Sequence, residues 1–120
     1  MKVLDGIVVA DFSRVLAGPF CAQQLADMGA DVIKVESPEG DENRRWQPQL
    51  PNGSSSNYAS VNRGKRAMTL DLKSERGPEI LRRLIERSDV LLHNFRPGVP
   101  ERLGIGYEEL RASNPRLIWV

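Results

Sequence analysis

Apolar residues along this chain alternate between short continuous runs and longer stretches at helical spacing. Ile7-Val8-Val9-Ala10-Asp11-Phe12 is nearly all apolar and rich in β-branched residues, which predicts a strand covered on both faces. Ser13 to Gly18 reads as the turn after it. Pro19 suits the first helical position, where a missing N–H costs nothing. Cys21, Leu25 and Met28 recur at helical spacing, which assigns Cys21 to the core, and Gly29 can close the helix in the left-handed conformation. Asp31-Val32-Ile33-Lys34-Val35-Glu36 is a second strand. Strand, helix and strand in so short a length make a βαβ unit, with parallel strands and a right-handed crossover.

From Ser37 to Tyr58 the periodicity dissolves into prolines, glycines, serines and the charged run Asp41-Glu42-Asn43-Arg44-Arg45, which predicts a long surface loop. Ala67 to Leu72 has strand character, preceded by the basic turn Asn62-Arg63-Gly64-Lys65-Arg66. A helix follows with an apolar stripe of Ile80, Leu81, Leu84 and Ile85. Ser74 is a candidate N-cap, although Pro78 is tolerated only in the first turn and draws the start toward Gly77. Asp89 to His93 is the next strand. The chain breaks at Asn94 and Pro97, restarts as a short helix, forms another helix over Tyr107 to Ser113, and enters a further strand at Leu117. The pattern predicts an α/β fold: a Rossmann-like parallel sheet with flanking helices.

Composition narrows this only slightly. At 120 residues there is length for one domain, and 40% hydrophobic with 28% charged residues is ordinary for a globular protein. A net charge of +1 gives no electrostatic support to a nucleic-acid partner. The single cysteine, Cys21, excludes an internal disulfide and fits a reducing compartment. Neither a signal peptide nor an apolar run of the ~20 residues needed to span a bilayer is visible, so the expectation is a cytoplasmic chain without a membrane partner. Leu117-Ile118-Trp119-Val120 looks like a strand just beginning. Residues 1–120 are therefore expected to be an incomplete N-terminal segment of a larger domain, with a second domain absent.

Ligands of open α/β sheets bind at the carboxyl ends of strands, so the loop carrying Asn94, Arg96 and Arg102 is a candidate anion site. Leu16-Ala17-Gly18-Pro19 occupies the place of a G-x-G-x-x-G turn but has only Gly18, which argues against dinucleotide binding of the usual kind. It is either an ordinary turn or a helix N-terminus that offers amides to an anion. Asn62 to Arg66 with Lys73 is either a phosphate-attracting surface or a solvated basic turn; it is not a P-loop. His93, the one histidine, has no identifiable partner and reads as a packed residue. No spacing of metal ligands occurs.

Four blocks, taken in order, carry more than each does alone. They are Leu4 to Val9 leading to Ala17-Gly18-Pro19; Leu25 to Glu36; Asn62 to Arg66 with Leu70 to Lys73; and Asn94-Phe95-Arg96-Pro97-Gly98 with Glu101-Arg102-Leu103-Gly104. In this order and spacing the chain resembles the family III CoA-transferases, which include formyl-CoA transferase, the carnitine CoA-transferases and α-methylacyl-CoA racemase. The resemblance implies that Leu16 and Ala17 line a coenzyme A site. It further implies that Leu70, Asp71, Leu72 and Lys73 meet its adenine and phosphate end. Asn94, Phe95, Arg96, Pro97, Gly98 and Arg102 would complete the pocket. Guanidinium and ammonium groups suit a 3′-phosphorylated ADP. Two departures stand out: Ser37 where many members have arginine, and Leu16 where some transferases have glutamine.

The resemblance also implies a chemistry. CoA passes from an acyl-CoA thioester to a carboxylic acid through an aspartyl intermediate, with CoA and acyl-CoA as substrates and no permanently bound cofactor. That aspartate is expected beyond Val120, so no catalytic residue is assigned here and the piece alone is expected to be inactive. Family members form homodimers whose chains pass through one another like links. The alternatives are the acyl-CoA racemase branch of the same family and a non-catalytic α/β nucleotide-binding module. Lys65-Arg66 and Asn94-Phe95 favour the transferase branch.

Overall fold

The computed structural model describes all 120 residues. Strands β1 (Val8–Asp11), β2 (Asp31–Glu36), β3 (Arg66–Thr69), β4 (Val90–Leu92) and β5 (Ile118–Trp119) form one sheet in the order β3-β2-β1-β4-β5. Every pairing is parallel, with Ala10 opposite Ile33 on one side and Leu91 on the other. Helices α1 (Ala17–Asp27), α2 (Ser56–Val61), α3 (Gly77–Glu86), α4 (Val99–Arg102) and α5 (Tyr107–Ser113) make the connections. The α/β, Rossmann-like expectation holds. Successive strand residues point to opposite faces, and both faces are covered. Val9, Val32 and Leu92 pack with Ala22 and Ala30 on the α1 side. Ala10, Val35 and Leu91 pack with Leu81, Ile85 and Leu110 on the other.

Five local expectations are corrected. Helix α1 starts at Ala17, two residues before Pro19, and its buried residues are Gly18, Pro19, Ala22 and Gln23. Cys21 is exposed, not in the core. A Cβ on Gly18 would lie 2.3 Å from Ser13 Cβ, so the close seating of α1 against the preceding loop selects glycine and turns the buried face toward that end. The segment from Ser37 to Tyr58 is not a bare loop: it contains a 3-10 helix, Glu42–Arg45, and the start of α2. Strand β3 stops at Thr69, and Leu70 to Lys73 lie in the turn beyond it. Ser74 does not cap α3; its hydroxyl donates to Asp71 O at 2.7 Å instead.

Helix α3 begins at Gly77 for a steric reason. A Cβ there would sit 2.2 Å from Asp71 O. The helix start and the Leu70–Lys73 turn are thereby locked together. Gly77→Ala is expected to push this turn away and cost about 1–3 kcal/mol, as overpacking does. Urea melts with a shifted midpoint and an unchanged slope would register it.

Candidate functional site

A cleft opens at the carboxyl ends of the strands. Phe12, Ser13 and Arg14 enter it after β1, Val35 to Asp41 from the end of β2, Leu70 to Lys73 after β3, and Phe95 and Leu103 after β4. The chain order reverses between β1 and β4, and this is the place where open parallel sheets take their ligands.

The wall after β1 is held by side chains rather than by a glycine motif. Asp11 Oδ1 accepts from the amide of Ser13 at 2.9 Å and from its hydroxyl. Lys34 Nζ donates to Ser13 O at 3.0 Å and to Asp41 Oδ2 at 3.0 Å. Asn94 grips the backbone of Arg14 from both sides, accepting from its N–H at 2.8 Å and donating to its carbonyl at 2.7 Å. Asp41 accepts from Val15 N at 3.2 Å, while Asn43 Nδ2 donates to Val15 O at 2.7 Å. These contacts hold Val15 at φ 69°, a left-handed conformation that a β-branched residue adopts only when its surroundings impose it.

Two buried ion pairs lie under this wall. The Lys34–Asp41 pair has side chains 1% and 0% exposed, and the Lys65–Asp11 pair 2% and 0%. Lys65 Nζ also donates to Pro19 O and Asn62 Oδ1, both at 2.9 Å, so all three of its protons are used. Burial pulls its pKa below the ordinary lysine value, against the pull of Asp11. Lys65 is therefore a structural cation and not part of a solvated basic turn.

At the end of β2, Glu36 is saturated. Its Oε1 accepts from Arg44 Nη2 and Tyr58 OH, each at 2.7 Å, and its Oε2 from Arg44 Nε and the Asp41 amide, each at 2.8 Å. Arg44 is also stacked over the Tyr58 ring at 3.9 Å. Burial alone would raise the Glu36 pKa, but the bonds from Arg44, Tyr58 and Asp41 outweigh it and hold it at about 2. The same surroundings raise the Tyr58 pKa, burial first and the Glu36 carboxylate second. In dinucleotide-binding folds the acid at this strand end takes the ribose hydroxyls. Here it has no oxygen left to offer.

Of the residues expected at the site, Leu70, Asp71, Leu72, Lys73 and Phe95 line the cleft. Asn94 lies beside it, its amide spent on Arg14. Leu16 and Ala17 stand exposed at the start of α1. Arg96 and Pro97 are exposed, and Gly98 (φ 84°) turns the chain into α4. Arg102 borders a separate depression, contiguous with the cleft because Leu72 and Leu103 line both. Ser13, Arg14, Glu36 and Asp41 were missed from the sequence. Lys34 and Glu36 were the available signal, since charges inside an apolar strand demand buried partners. His93 is a packed residue: its Nδ1 accepts from Phe95 N at 3.0 Å, and Trp119 meets its ring edge-on at 4.5 Å.

Comparison with known proteins identifies the family. The model of CoA-transferase family III matches residues 4–120. The chain belongs to that family. A succinate–glutarate CoA-transferase of Agrobacterium fabrum is 47% identical, over 97% of this chain and 31% of its own length. A formyl-CoA:oxalate CoA-transferase of Rhodopseudomonas palustris is 47% identical, over 98% and 28%. The crystal structure of a CaiB/BaiF family protein from Brucella suis superimposes with a TM-score of 0.92 at 47% identity, over 98% of this chain and 32% of that one. The chain thus spans less than a third of the length of these family III relatives.

Two outcomes follow for stability. Lys34→Met leaves Asp41 charged and buried without its partner, and is expected to cost about 3–5 kcal/mol in chemical denaturation. The second concerns acid. Because the Glu36 pKa falls from 4.5 to about 2 on folding, its contribution is fully present above pH 4.5 and is lost as the pH drops toward 2. After allowance for solvent screening at the cleft wall, this is about 2 kcal/mol. Glu36→Gln should lose that much less than wild type over the same pH interval in urea melts.

Proposed function

We propose that this chain holds the nucleotide end of coenzyme A in an enzyme that transfers CoA from an acyl-CoA thioester to a carboxylic acid. The observation that carries this is the cleft in a chain of this family: an apolar slot with two cations, Arg14 and Lys73, among its lining residues. Phe12, Val35, Leu70, Leu72, Phe95 and Leu103 supply the slot, which suits an adenine ring. Arg14 and Lys73 stand at its mouth. Arg14 has a clamped backbone, but its side chain is half exposed and only 3.7 Å from Glu42. It is free to turn to a phosphate, and it can serve where Ser37 replaces the arginine of many members. We assign Leu16, Ala17, Asn94, Arg96, Pro97, Gly98 and Arg102 to the rim of the same site as further contacts, with the αL turn at Gly98 leading into α4, which carries Arg102.

In the proposed reaction a carboxylate outside these residues attacks the thioester carbonyl and expels CoA thiolate. The thiolate then attacks the enzyme-side carbonyl of the anhydride, which releases the donor acid and leaves an enzyme–CoA thioester. The acceptor carboxylate attacks that thioester and expels the thiolate, forming a second anhydride. The thiolate attacks its acyl carbonyl, giving the new acyl-CoA and freeing the enzyme carboxylate. The contribution of this chain is positional. It fixes the distant nucleotide so that binding energy orients the thioester. Phe20 in α1 and Met28 just after it are 53% and 48% exposed, which supports an assembly in which a second copy covers them, as in an interlocked dimer.

Titration calorimetry with CoA tests the reading. Lys73→Ala and Arg102→Ala should each weaken binding by about 1–3 kcal/mol, as expected for a charge-assisted phosphate contact. Unchanged affinity in both would remove the phosphates from this rim. Sedimentation equilibrium is expected to show self-association, and a monomer at all concentrations would count against the dimer.

A further inference from the structure

We infer that Arg44, through its pairing with Glu36 at the end of β2, makes the cleft select a phosphorylated ribose over a bare ribose diol. The inference rests on the proposed nucleotide site and adds a specificity residue to it. In doubly wound sheets the ribose lies beside the end of the second strand. A free carboxylate there accepts from a ribose diol and repels a phosphate on the same ring, whereas a nearby arginine accommodates that phosphate. This chain carries the acid, Glu36, and has cancelled it. The fork of Arg44 meets both carboxylate oxygens, at 2.7 and 2.8 Å. Tyr58 and the Asp41 amide fill the remaining positions.

Three features make this an adaptation of the cleft and not only a buried bond. Glu36 is itself a lining residue, so its charge state is felt by whatever occupies the site. Arg44 keeps 40% of its side chain exposed while its partner keeps 7%, and that exposed side borders a second depression that shares Glu36, Ser37 and Gly40 with the cleft, so Arg44 acts on the cleft through Glu36. Tyr58, stacked on the guanidinium and bonded to both members, prevents Arg44 from swinging away. Sequence alone hid this, because Arg44 lies eight residues past Glu36 in a stretch without periodicity.

The experiment compares the affinities of CoA and dephospho-CoA, which differ only in the ribose phosphate, by calorimetry on the protein and three variants. Wild type should favour CoA. Arg44→Gln exposes an uncompensated carboxylate and should lower the CoA to dephospho-CoA preference about tenfold, the effect of one unit charge some 7 Å away in a partly aqueous site. Glu36→Gln, nearly isosteric, frees Arg44 and should raise the preference several-fold. The double variant should return to near the wild-type ratio. If wild type binds CoA and the ratio stays constant across Arg44→Gln and Glu36→Gln, the selection by Arg44 is overturned while the nucleotide site stands. If wild type binds neither compound, the site itself fails and the inference falls with it. Should Arg44→Gln not fold, the direction of change in Glu36→Gln decides: no rise in the ratio refutes the role.

Discussion

A lysine and an aspartate with virtually no exposure face each other beneath the β1–α1 connection, and the geometry of the cleft depends on them. Desolvating two such charges costs several kcal/mol each unless every proton and lone pair finds a partner. Lys34 donates two protons to Ser13 O and Asp41 and lies 5.7 Å from the centre of the Tyr58 ring, while Asp41 accepts from Lys34 and the amides of Val15 and Asn43. These partners come from the end of β1, the middle of β2 and the segment before the 3-10 helix. A nonspecific apolar contact would tolerate sliding. This arrangement does not, so three separate pieces of backbone take one relative position.

The usual dinucleotide-binding sheet solves the same problem differently. It brings backbone close to a pyrophosphate by removing side chains, through glycines in the first turn, and reads the ribose with a free acid on the second strand. Here the first turn keeps Arg14, Val15 and Leu16 and is shaped by Asp11, Asp41, Asn43 and Asn94 from outside. The acid on the second strand is neutralised. The topology is shared, whereas the recognition surface has been rebuilt from polar side chains. Such a surface is rigid only while each of its hydrogen bonds is made.

The strands and the stripe of α3 were legible in sequence because they obey local periodicity: Val8 to Asp11, Val32 to Val35 and Leu81 with Ile85 need only their neighbours to be read. The family resemblance was legible as an ordered set of blocks. The phase of α1 was not. Its buried face is decided by the contact of Gly18 with Ser13, a tertiary fact, and Cys21 was misassigned accordingly. The order in Ser37 to Tyr58 was missed for the same reason. What organises it is an aspartate bonding back to Val15 and an arginine bonding back to Glu36, partners that no periodic pattern connects. Within the site, the lining residues after β3 were readable. Of the clamps, Lys34 was signalled by its place inside an apolar strand, whereas Lys65, in a basic turn, resembles a surface lysine until its burial is known.

The position of β1 has a consequence for synthesis. It is the first strand in the chain and the central one in the sheet, flanked by β2 and by β4. The Val8 amide finds its acceptor in Asp89, 81 residues further on. A nascent chain therefore makes the β1–α1–β2 unit early and carries an open, apolar strand edge until β4 has left the ribosome. Parallel pairing across that separation is slow to form, and an unpaired edge is a template for association with other chains. The most buried strand of the finished sheet is the one that spends longest exposed while the protein is being made.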